Sequence, residues 1–200
     1  SEDELLEMMN YIKKRKKAEM MGGTMNYGKR KNKNLARQAA KYLRKSDGPR
    51  VAVFEVNGFD THAAQGGVDG SHTKSLVEMD EIINNLKDNL QEAYKDTIIL
   101  TVTEFGRTIK QNGGNGTEHG YGTAIFMAGG LLKKSQVYTD WPGLKRKEMY
   151  EGRDLNATID ARSVYASAMS TVFDLDFKRI QKDVFWGENL QNLSDKLFKA

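Results

Sequence analysis

The chain contains no cysteine. Disulfides, cysteine-ligated zinc or iron–sulfur centres and a thiol nucleophile are therefore excluded. Any bound metal must rely on His, Asp and Glu. The compartment stays open, because a chain without Cys suits either redox environment. Long apolar runs are also missing. No stretch approaches the roughly 18 residues that a membrane-spanning helix needs, and the mean hydropathy of −0.65 reads as a soluble globular chain. The first ten residues, SEDELLEMMN, lack the basic-then-apolar order of a signal peptide. Histidine is scarce, with three copies in 200 residues.

Charge is present in quantity and unevenly placed. Residues 1–50 hold 14 Lys+Arg against 6 Asp+Glu, whereas residues 51–200 hold 17 against 21. The basic half contains KKRKK (13–17) and GKRKNK (28–33). Neither is interleaved with aromatics, and neither sits in a helix-turn-helix or zinc-finger pattern. Both read better as a solvated helix end and a loop than as a nucleic-acid surface.

Periodicity organises the rest. Ser1 and Glu4 resemble a capping box ahead of helically spaced Leu5, Met8, Met9 and Ile12. GGTMNYGK (22–29) breaks that helix, and NLARQAAKYLRK (34–45) predicts a second, stopped by DGP at 47–49. VAVFEV (51–56) predicts a buried strand. Leu76, Met79, Ile83, Leu86 and Leu90 mark a long amphipathic helix. TIILTVT (97–103) and TAIFMAGG (123–130) predict two further strands around a Gly/Asn-rich loop at 104–122. A helix from about 163 to 173 and a tail helical in pieces complete the chain. Strand, helix, strand, loop, strand, helix is the order of an α/β layered domain. Residues 1–48 read as a helical N-terminal arm and 49–200 as the α/β unit.

In open α/β sheets, functional groups collect beyond the carboxyl ends of strands. Asp60 and His62 follow the first predicted strand, and Glu104 and Arg107 follow the second. His119 precedes the third and reaches the same edge if that strand, near 123–129, runs antiparallel. Nitrogen from His and oxygen from carboxylate suit Zn, Mn or Fe, while carboxylate alone favours Mg or Ca. Arg107 would offer a planar fork to a phosphate or sulfate oxygen. A plain Glu104–Arg107 ion pair, a loop-capping Asp60 and a hydrogen-bonded His62 are the alternative reading. The glycines around His119 (116, 120 and 122) argue for close backbone packing there.

Taken in order, GFDTH, TEFGRT and NGTEHGYG resemble bacterial exported proteins of a domain-of-unknown-function family in the alkaline phosphatase/sulfatase-like superfamily. GGLLKKSQVYTDWPGL and IDARSVYASAMSTVF resemble the segments that follow. The resemblance spans roughly residues 50–175. It implies a three-layer αβα sandwich with a mostly parallel sheet, of which 49–200 is the C-terminal part. It implies a metal-dependent hydrolase of phosphate or sulfate esters, with Asp60, His62, Glu104 and His119 as ligands of a divalent metal (Zn, Mn, Fe, Ca or Mg). Arg107 becomes the oxyanion contact. It also implies an exported or periplasmic location. The nucleophile would then come from an N-terminal segment or a partner chain. Three positions depart from the pattern: Phe105 replaces the His of a usual Asp-His pair, Glu118 stands where Asp is common, and Phe59 where Trp is. The alternative is a non-catalytic surface or assembly protein that keeps the sulfatase-like fold.

Overall fold

Residues 26–199 are described by a computed structural model; the first predicted helix and the KKRKK run lie outside the described residues. Helix α1 spans Asn26–Leu43 and α2 spans Ser71–Leu90. The two pack because Ala36 and Ala40, one turn apart, are fully buried. Their small side chains let α1 lie close against Ile82, Leu86 and Leu90, which repeat every four residues on α2. Asn32 Nδ2 donates to Glu78 Oε1 at 2.6 Å, and Lys33 pairs with Glu81 at 3.2 Å. Both helices begin earlier than the apolar spacing predicts. In α1, Gly28 is helical rather than a breaker. An interior Gly costs about 1 kcal/mol, less than burying one Leu contributes. In α2, the first turn is polar and leaves no periodic trace. Gln91, at φ 54°, ends α2 and leads into a 3-10 turn over Gln91–Asp96.

Strands are short. β1 (Ile99–Leu100) pairs antiparallel with β4 (Met127–Ala128), Ile99 opposite Ala128. β2 (Gly106–Arg107) pairs antiparallel with β3 (His119–Gly120), Arg107 opposite His119. Each sheet has two strands, and no parallel pairing forms among the described residues. This differs from the mostly parallel sheet of the sequence reading, and residues 51–56 show why. They run extended, with Phe54 and Val56 turned onto the α1/α2 core and Val51 and Val53 turned outward, 61% and 91% exposed. Their backbone groups find no partner strand among the described residues. Alternation is there, but a strand needs a neighbour.

The C-terminal part covers the other face of β1 and β4. Helix α3 (Ala161–Phe173) begins at Asp160, whose carboxylate accepts from the Arg162 N–H at 2.8 Å. Val164 and Ala168 pack with Leu193, Leu197 and Phe198 beneath Ile98, Leu100, Ile125 and Met127. The buried Ser163 and Ser167 hydroxyls accept from the backbone N–H groups of Gln191 and Leu193 at 2.9 and 2.8 Å, which docks the C-terminal segment. Helix α4 (Phe177–Asp183) adds Phe177 and Ile180 against Ala166, and a last turn, α5, covers Ser194–Leu197.

Candidate metal centre

Two segments build the site, 57–65 and the 106–120 hairpin that carries β2 and β3. Gly58, at φ +98°, turns the chain after the extended segment; a Cβ there would lie 2.6 Å from Ser75 Oγ on α2. That same hydroxyl donates to the Gly58 carbonyl at 3.0 Å, so α2 fixes where Asp60 and His62 begin. The hairpin loop is laid directly on this segment. Ala64 N–H donates to Gly114 O at 2.8 Å, Gln65 N–H to Asn115 O at 2.9 Å, and Thr117 N–H to Thr61 O at 3.0 Å. Gly116 passes so close that a Cβ would sit 2.3 Å from the His62 carbonyl carbon. Only glycine permits that approach.

Asn112 is the hub. Its Oδ1 accepts from the N–H groups of Gly114 and Gly116, both at 2.9 Å. Its Nδ2 donates to His62 O at 2.8 Å and to Glu118 Oε1. The Gln65 side-chain oxygen accepts from both Thr61 and Thr117 hydroxyls, at 2.8 and 2.9 Å.

Three donors converge within this frame. His62 Nε2 lies 3.0 Å from Asp60 Oδ1 and 3.1 Å from His119 Nε2, and His119 Nε2 lies 3.1 Å from Asp60 Oδ1. The near-equilateral triangle matches the edge of about 3.3 Å between donors that share a tetrahedral ion at about 2.0 Å. Two imidazoles and one carboxylate form a set used by zinc and non-haem iron sites. These residues fit a metal ion. Without one, the same separations are hydrogen bonds. The side chains are open to solvent, with Asp60 51%, His62 45% and His119 50% exposed.

Desolvation, the largest single influence on Asp60, pushes its carboxyl up. The Arg107 hydrogen bond and the charges of His62, His119 and Arg107 outweigh it and hold the group below its ordinary value. Glu118 is also held low, first by the Asn112 amide and then by His62. Both carboxylates stay ionised, as metal ligation and support require.

Of the residues marked from sequence, Asp60, His62 and His119 come together and Arg107 joins them. Arg107 is the most enclosed of the four, at 19%. Its Nη1 donates to Asp60 Oδ1, its Nε to Thr117 Oγ1 at 2.9 Å, and its Nη2 to the Thr117 carbonyl. Of five N–H groups, two remain without a hydrogen bond among the described residues. Glu104 is not brought in. It is exposed, makes no hydrogen bond or ion pair among the described residues, and lies outside the donor group. Neighbours on an extended segment point to opposite sides, and Phe105 takes the inward side. Its ring stacks on His119, centroids 3.8 Å apart and planes 14° from parallel. The third histidine, His72, packs edge-on against Phe59 at 5.8 Å, away from the donor group.

Three roles are not legible in the sequence, where Glu118 is marked only as a departure from Asp and Asn112 and Arg153 are not marked at all. Glu118 reaches His62 Nδ1 at 2.8 Å. Asn112 left no signal beyond its Gly-rich surroundings. Arg153 grips the buried Asp154 with Nε and Nη2 at 2.9 and 2.7 Å, and its Nη2 reaches the His119 carbonyl at 3.4 Å.

A family model described as "Protein of unknown function (DUF1501)" matches residues 2–183. The chain belongs to this family. No curated protein and no solved structure matches it. The family match takes in all four residues of the cluster, Asp60, His62, Arg107 and His119, and both segments that interlock around them.

Proposed function

We propose that this DUF1501 chain carries the metal-binding edge of a hydrolase acting on phosphate or sulfate esters. On this reading it is the C-terminal part of an alkaline-phosphatase-like αβα sandwich. The observation that carries the reading is the Asp60–His62–His119 triangle, with sides of 3.0–3.1 Å. Those three side chains would hold one divalent ion. Bound there, it supplies Lewis acidity toward an ester oxygen and a lowered pKa for a bound water. Arg107 keeps Asp60 ionised and aimed, and turns its two free N–H groups toward a developing anionic oxygen. Phe105 fixes the His119 ring plane from behind. The Thr61 and Thr117 hydroxyls both donate to Gln65 and serve the frame. The motif resemblance implies an attacking hydroxyl from another segment or a partner chain. An exported location fits the motif resemblance.

Metal analysis of the purified protein, after growth with added Zn, Mn or Fe, tests the site. One equivalent of metal is expected, lost in a His62→Ala/His119→Ala double variant. Absence of metal from both proteins would overturn the reading. Hydrolysis of p-nitrophenyl phosphate and p-nitrophenyl sulfate then tests the chemistry. Phe105, stacked where the superfamily resemblance places a ligating His, favours a second reading in which the fold survives as a surface or assembly protein. Stoichiometric metal with no turnover of either ester would select it.

A further inference from the structure

Every polar atom of the Glu118 side chain is engaged, and neither oxygen faces the donor triangle. Oε2 meets His62 Nδ1 at 2.8 Å, and Oε1 accepts from Asn112 Nδ2. The backbone is pinned as well: Thr108 N–H donates to Glu118 O at 2.9 Å, and Glu118 N–H donates to Thr108 Oγ1 at 3.1 Å. Thr108 is buried, 8% exposed. The carboxylate thus stands on a rigid support and addresses the imidazole nitrogen opposite the one that meets Asp60 and His119.

We propose that Glu118 is the positioning residue that makes His62 a metal ligand, by holding its Nδ1–H and turning Nε2 into the donor triangle. An imidazole has two chemically similar nitrogens. A hydrogen bond that fixes the proton on one leaves the lone pair on the other, and a carboxylate partner also raises the basicity of that lone pair. Among the described residues His119 has no such carboxylate at its other nitrogen; Phe105 sets its plane by stacking, so its two nitrogens are not told apart in this way. The two ligand histidines are oriented by different means, one polar and one aromatic.

Side-chain length is part of the device. His62 and Glu118 are anchored on separate segments by the Thr117–Thr61 backbone hydrogen bond and by the Asn112 amide donating to the His62 carbonyl. An Asp at 118 would end about 1.5 Å short, outside hydrogen-bond range of Nδ1.

The inference rests on the metal reading, and the experiment separates the two. Cobalt(II) is titrated into wild type, His62→Ala, Glu118→Ala and Glu118→Asp, following the ligand-field absorbance and, in the loaded proteins, the paramagnetically shifted ring N–H signals. Thermal melts of the metal-free proteins confirm that each variant is folded. Wild type is expected to bind one equivalent and to show a solvent-protected His62 Nδ1–H signal. Both Glu118 variants should bind about 10–100-fold more weakly and lose that signal to exchange. If wild type binds and His62→Ala does not, but the Glu118 variants match wild type in affinity and signal, the positioning role is overturned and the metal site stands. If wild type binds no cobalt, the metal site itself is overturned, and this role with it.

Discussion

The helical layers and the interlocked loops of this chain are held together by opposite kinds of force. Around α1, α2 and α3 the contacts are apolar and buried: Ala36, Ala40, Leu90, Leu193 and Phe198 are almost inaccessible. Around His62 and His119 the contacts are polar, half open to solvent and dependent on glycines without room for a Cβ. Burial tolerates a change in shape in proportion to the volume lost. A polar frame with backbone atoms in close approach tolerates almost none, yet loses little global stability when it fails. Mutations should therefore divide into those that unfold the protein and those that leave it folded but disarrange the site.

The largest effect is expected in the helical layers. Phe198→Ala removes the largest fully buried side chain among the described residues and should cost about 3–5 kcal/mol in urea unfolding. A cost under 1 kcal/mol would mean that the C-terminal segment is not docked. Gly116→Ala comes next. Its new methyl meets the His62 carbonyl, and the strain should cost about 1–3 kcal/mol. Metal affinity should fall far more than the melting temperature does. Equal losses in both would erase the distinction between the regions.

Acid offers a milder probe of the loops alone. Asp60 and Glu118 sit below their ordinary values of 3.8 and 4.5 in the folded chain. Near and below those values the unfolded chain binds more protons, so their contribution is complete above about pH 5 and fades as pH falls through the folded values. Metal-free Asp60→Asn/Glu118→Gln should show a flatter loss of melting temperature between pH 5 and pH 3 than wild type. Identical acid limbs would mean that these carboxylates are not linked to folding. The smallest effect belongs to the exposed Lys33–Glu81 pair between α1 and α2. Lys33→Gln should change stability by at most about 0.5 kcal/mol, vanishing in high salt; a larger, salt-independent loss would move that contact into the core's account.

How much was legible in advance follows the same division. Helices α2 and α3 write a 3.6-residue period into the sequence, and only their polar first turns are invisible. Residues 51–56 have the composition of a strand, but a strand is a relation between two segments and the partner is not encoded locally. At the site, Asp60, His62 and His119 could be marked because scarce histidines stood beside carboxylates in Gly-rich stretches. Glu104 is marked instead by its place at the end of the predicted strand 97–103, yet the alternation of the chain gives the inward side to Phe105. The roles of Glu118, noted only as a departure from Asp, and of Asn112 stay hidden because they lie in what these side chains touch 56 and 50 positions away. No local pattern carries that information.

His62 and His119 lie 57 positions apart, and the chain between them includes all of α2. The contacts that join their segments are loop hydrogen bonds rather than a shared helix or sheet. Joining them therefore carries a loop-closure cost that no contact within α2 carries. Whatever shortens or stiffens the chain between residues 62 and 119 without touching a donor should lower that cost and favour the closed triangle.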